Sequence, residues 1–174
     1  MSVVRIGRRE FLECAAARLA LETQTASEAA QRIDEGGLRY LMDILRKQEM
    51  QLSGTGEFVD SFGRAATDTN FHRAIAEASG NGFIARLLDN KIFFVNRLFQ
   101  MEHPGLPSRA ALAVEEHRQI ARAIAERDSE VASLKMRRHL TQSTAWYLEQ
   151  IDSKPEGPAR RRGLRGKAIA GSMR

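Results

Sequence analysis

The chain contains a single cysteine, Cys14, and only four prolines in 174 residues. One cysteine excludes an intrachain disulfide and any cysteine-rich zinc site. Cys14 lies among alanines in a helical pattern and reads as a small core residue rather than a reactive thiol. No apolar run approaches the 18 or so residues of a transmembrane helix, and Met1–Arg5 opens no signal-peptide core. We therefore expect a cytoplasmic protein without membrane contact. Strand-like alternation, glycine-rich phosphate loops and internal repeats are also missing. The length suits one domain with a sizeable core.

Excess charge is scarcer than it first looks. A formal net charge of +5 would suit a nucleic-acid partner. From Asp152 onward, however, seven basic residues against two acidic ones account for the whole +5, and residues 1–151 balance at twenty of each sign. The sequence thus divides into a neutral domain, residues 1–151, and a basic tail, residues 152–174. Few tail residues could bury anything, so we expect disorder there and, at most, weak salt-sensitive attraction to nucleic acid.

What the chain does have is helical periodicity. Residues 3–23 read as a first helix with Leu12, Ala16, Leu19 and Ala20 on one face. Arg9 falls on that stripe, either snorkelling at its edge or aimed inward as a cation for an anion. Thr23–Ser27 is a polar break, after which Thr25 or Ser27 can cap a second helix running to about Leu52. Gly36-Gly37 should bend or interrupt that helix. After a loop at Ser53–Gly56, a third helix begins near Glu57 and ends at Gly80, a residue suited to the left-handed position past a helix end. Asn81 can cap a fourth, Gly82 to about Met101, whose Phe93, Phe94 and Phe99 suggest a packed edge or a subunit contact. His103–Ser108 is a loop, with His103 exposed in it; Ser108 and Asp128 cap the last two helices, ending near Arg127 and Ile151. The fold class is all-α, a helical bundle.

Polar groups interrupt the buried faces at three places. Asp68 and His72 stand four apart on the third helix, on a stripe with Phe58, Phe62, Ala65, Ile75 and Ala76. His117 sits alone among Ala110, Ala113, Val114, Ile120, Ala121 and Ile124, and His139 lies mid-stripe between Ala132, Met136, Ser143 and Trp146. Such groups cost free energy on an apolar face unless something satisfies them. Three imidazoles and a carboxylate suit a divalent transition metal; they suit a buried hydrogen-bonded network equally well.

The order of these pieces resembles the FCD domain, the all-helical C-terminal effector-binding domain of the FadR subfamily of GntR transcription regulators. The resemblance covers roughly residues 5–150 and rests on four motifs. These are the Arg9 to Ala20 segment, Asp68-Thr-Asn-Phe-His72 with Ala78-Ser-Gly-Asn81, Glu116-His-Arg-Gln-Ile120 with Ala123, Ile124 and Asp128, and Met136-Arg-Arg-His139-Leu140. The resemblance implies an antiparallel bundle of six to seven helices around a central cavity, commonly dimeric. It implies Asp68, His72, His117 and His139 as metal ligands, zinc first, with nickel, manganese or iron as alternatives. It also implies Arg9 as the residue that pairs with a small carboxylate effector. The family's N-terminal winged helix-turn-helix has no counterpart here, so DNA binding is expected only through that missing module. We expect a ligand sensor and no enzyme; the competing readings are a metal-dependent hydrolase or oxygenase-like enzyme and a metal-free interaction bundle.

Overall fold

A computed structural model describes residues 7–53, 61–102 and 107–153. The basic tail from residue 154, the loop around His103 and the helix start expected near Glu57 lie outside the described residues. Within them the chain is helical: α1 (Arg8–Arg32), α2 (Glu35–Ser53), α3 (Ser61–Ala78), α4 (Gly82–Leu87), α5 (Phe93–Glu102), α6 (Pro107–Ala125) and α7 (Ser129–Ser153). A five-residue π-helical turn, Leu88–Ile92, joins α4 to α5. No described helix is long and apolar enough to cross a membrane.

The first expected break is absent. Thr23 and Thr25 lie buried inside α1, and their hydroxyls donate back to the Leu19 and Glu22 carbonyls at 2.7 and 3.1 Å. A threonine satisfied in this way need not end a helix. The break falls instead after Arg32, where Asp34 accepts from the Gly37 amide at 2.7 Å and starts α2. Gly36-Gly37 therefore sits in the first turn of α2 rather than mid-helix.

The fourth expected helix, Gly82 to about Met101, is divided by the π-helical turn at Leu88–Ile92, while the remaining boundaries stay near their sequence signals. Gly80 adopts φ +69° after α3, and Asn81 accepts from the Ile84 amide at 3.2 Å to cap α4. α6 begins at Pro107 rather than after Ser108, with proline in the first turn, where its missing N–H costs nothing. Its end is closed by Asp128 N donating to Ala123 O at 3.0 Å and Arg127 N to Ile124 O at 3.1 Å. That closure puts Arg127, a non-glycine residue, at φ 61°. Asp128 then accepts from Val131 N at 2.9 Å and caps α7.

α1 is the hub, packed along α7 and against α3, α5 and α6. Arg8 pairs with Asp152 and Phe11 meets Tyr147, so α1 and α7 run antiparallel. The main core joins Ala26, Ala29, Ile33, Leu41, Phe71, Ile75, Ile120, Ile124, Met136 and their neighbours. A second cluster closes the far end, where Phe11 stacks on Phe99 at 3.9 Å between ring centroids. Phe93 is buried beside Leu88, whereas Phe94 is 59% exposed.

Candidate metal centre

The three histidines of the buried stripes converge. Imidazole centroids are 5.3 Å apart for His72 and His117, 5.2 Å for His72 and His139, and 4.6 Å for His117 and His139. One ligand-type nitrogen from each lies within 4.8 Å of the others, and all three side chains are buried. Each position is set by local helical register. His72 follows Phe71 and precedes Ile75 on α3, His117 stands between Val114 and Ile120 on α6, and His139 follows Met136 on α7.

Each Nδ1 faces an oxygen. Gln48 Oε1 lies 2.9 Å from His117 Nδ1, and the amide orientation is fixed because Gln48 Nε2 donates to the Thr67 carbonyl at 3.1 Å. Glu116 Oε2 lies 2.7 Å from His139 Nδ1 and also accepts from both Arg109 terminal nitrogens at 3.1 Å. Glu22 Oε2 lies 2.5 Å from His72 Nδ1. An amide oxygen and an ionised carboxylate only accept, so on His117 and His139 the proton belongs on Nδ1 and the lone pair on Nε2; the His72–Glu22 contact lies within ion-pair distance but outside hydrogen-bond geometry. The consequence is unfavourable as it stands. His117 Nε2 and His139 Nε2 are 3.3 Å apart with no proton to share, and His72 Nε2 is buried with no protein partner.

Asp68 flanks this cluster. Its Oδ1 lies 3.7 Å from His117 Nε2, and its Oδ2 accepts from Gln100 Nε2 at 2.7 Å. Burial acts to raise the Asp68 carboxyl, but the surrounding His72 and His117, then Arg18 and His139, outweigh it and hold it well below the usual range. Burial pushes His117 well below its ordinary value, with His139 adding to the effect, and it lowers His139 as well. A neutral His117 and His139 and an ionised Asp68 are the protonation states that metal binding requires. The residues present therefore fit a divalent cation.

Arg9 takes no part in this cluster. Its side chain is 92% exposed and pairs with Glu13 at 2.8 Å. The buried stripe of α1 runs through Phe11, Arg18, Glu22, Thr25, Ala26 and Ala29, with Ala16 and Ala20 exposed. Arg9 precedes Phe11 by two positions, roughly 200° around the helix, and points away. The arginine that α1 sends inward is Arg18, whose Nε donates to Glu22 Oε1 at 2.5 Å and whose Nη1 donates to Asn96 Oδ1 at 2.7 Å.

Sequence reasoning missed Glu22, Gln48 and Gln100 as supports. A signal existed for the first: Arg18 and Glu22 share a helix face with Phe11 at the right spacing. Gln48 likewise continues the Leu41, Ile44 and Leu45 stripe of α2. Gln100 carries no such mark.

The profile of the FCD domain matches residues 10–142. The chain belongs to the FCD domain family. FCD domains are ligand-sensing regulatory domains and not enzymes. The FCD fold is similar to that of E. coli McbR/YncC, with a TM-score of 0.70 at 17% identity over 86% of this chain and 73% of that one. It is also similar to a GntR protein of Streptococcus agalactiae, with a TM-score of 0.66 at 22% identity over 83% of this chain and 62% of that one. No curated protein matches the sequence.

Proposed function

We propose that this FCD domain senses a small organic acid through a divalent transition metal held by Asp68, His72, His117 and His139, as part of a GntR-type transcription regulator. One observation carries the reading: three buried imidazoles each bring a ring nitrogen within 4.8 Å of the others beside the Asp68 carboxylate, and the Nδ1-protonated forms that Gln48 and Glu116 favour set the Nε2 lone pairs of His117 and His139 against each other. A cation of the zinc, nickel, manganese or iron class would turn that repulsion into coordination. When bound, the metal supplies a Lewis-acidic anchor for an anion at positions the protein leaves open.

The charges support an anionic effector. Glu22 is matched by Arg18 and Glu116 by Arg109, which leaves Asp68 as the one unmatched carboxylate among these groups. A divalent ion would therefore leave the centre with a net positive charge. In a longer regulator, assembled as a dimer, a change of shape in this bundle would be passed to a DNA-binding module.

The test is metal content of the purified protein by mass spectrometry, beside His72→Ala and His139→Ala. The reading expects about one metal per chain, lost in both variants. The metal-loaded protein should then gain thermal stability from a small carboxylic acid that the metal-free protein ignores. No metal, and no uptake of added zinc, nickel, manganese or iron, would sink the four-ligand site.

A further inference from the structure

The three histidines are supported unequally. His117 rests on a neutral amide, Gln48. His139 rests on Glu116, whose side chain is 18% exposed and shared with Arg109. His72 rests on Glu22, which is 1% exposed. Glu22 is thus the one fully enclosed carboxylate of the three supports, with one oxygen 2.5 Å from His72 Nδ1 and the other 2.5 Å from Arg18 Nε. Arg18 is itself buried and fixed at its far end by Asn96 of α5.

We propose that Glu22 is a positioning residue for the metal centre, acting through His72 and steadied by Arg18 and Asn96. This inference rests on the metal reading above. Glu22 meets His72 on its Nδ1 side, so the three residues govern where His72 Nε2 points and how strongly it donates. A carboxylate behind an imidazole fixes the tautomer and ring orientation and raises its basicity as a ligand. Burial strengthens that hold, because little solvent screens the pair. The arrangement also gives α1 a role in a centre whose ligands lie on α3, α6 and α7. Without Glu22, His72 would have a free Nδ1 and no fixed choice of which nitrogen to offer.

The test is competition of the full chain against a chromophoric chelator for zinc and cobalt. It compares the wild type, Glu22→Gln, the double variant Arg18→Met with Glu22→Gln, and Glu13→Gln as an exposed control on the same helix. The double variant leaves no buried cation without its counter-charge, so it decides the matter if Glu22→Gln fails to fold. We expect metal affinity about 10- to 100-fold weaker in the Glu22 variants. We also expect a changed visible spectrum of the cobalt form, unchanged helicity of the metal-free proteins and no effect of Glu13→Gln. Wild-type affinity and an unaltered cobalt spectrum in a folded Glu22 variant would overturn the proposal while leaving the metal reading intact. Failure of the wild type to take up either metal would overturn this proposal, and failure to take up nickel, manganese or iron as well would overturn the metal reading with it.

Discussion

Gln48 of α2 decides which nitrogen His117 of α6 can offer to the interior. Its amide nitrogen is engaged by the Thr67 carbonyl at 3.1 Å, so its oxygen must face His117 Nδ1, 2.9 Å away. The imidazole proton is drawn to Nδ1, and Nε2 is left as a lone pair toward His139. A residue distant in sequence thus sets the chemistry of the site without entering it.

Gln48→Leu should accordingly leave the buried His117 Nδ1–H without its acceptor. We expect the metal-free protein to lose about 1–3 kcal/mol, measured by urea unfolding. Metal affinity should also fall, because neither tautomer of His117 is then preferred. Unchanged stability would mean that water replaces the amide at no cost.

Phe71 is fully buried and stacks on the His117 ring, with centroids 4.1 Å apart and planes inclined by 17°. Phe71→Ala would open a cavity beside the imidazole and remove the surface that holds it upright. A loss of about 3–5 kcal/mol is expected, together with weaker metal binding. Phe71→Leu should recover most of the stability but less of the affinity, since an aliphatic side chain fills space without offering a flat face.

Acid should destabilise the metal-free protein in two stages. Burial holds His117 and His139 below their ordinary value of 6.5. The unfolded chain therefore takes up protons that the folded one refuses, and stability falls as pH drops below about 6.5. Glu22 is a depressed carboxyl: burial would raise it, but Arg18 and His72 bring it down from 4.5 to about 2. Its contribution is present above about pH 4.5 and is lost as pH falls toward 2. Melting temperatures from pH 8 to pH 3 would trace both stages. A double variant, His117→Gln with His139→Gln, should flatten the first stage; a slope that survives in it would place the titrating groups elsewhere.

Two of the described residues occupy the left-handed backbone region, and their responses should be opposite. Gly80 sits at φ +69°, so Gly80→Ala should cost about 1–2 kcal/mol. Arg127 sits at φ 61° on an exposed helix end, so Arg127→Gly should stabilise the protein by about 0.5–1 kcal/mol once the added chain entropy is counted. Thermal unfolding of both variants would check the pair. A destabilised Arg127→Gly would mean that its side chain holds something worth more than the strain.

Local signals in the sequence determined where most helices start and stop, and which faces carry histidine. Asn81 and Asp128 cap because their side chains reach amides three residues on, and Gly80 turns left because it has no Cβ. His72, His117 and His139 stand out because helical spacing places each among apolar residues. These are short-range facts, and short-range pattern carries them. The continuation of α1 through Thr23 and Thr25 was not visible in that way, since threonine can bond back into its own helix as readily as end one. The outward turn of Arg9 and the inward turn of Arg18 depended on which α1 face meets α5 and α7, and alternative stripes one residue apart look alike in sequence. Only the tertiary structure decided that Glu22, Gln48 and Glu116 each stand behind a different imidazole. Those contacts join residues 50, 69 and 23 positions apart on separate helices, and no periodicity within one helix records which neighbour it will meet.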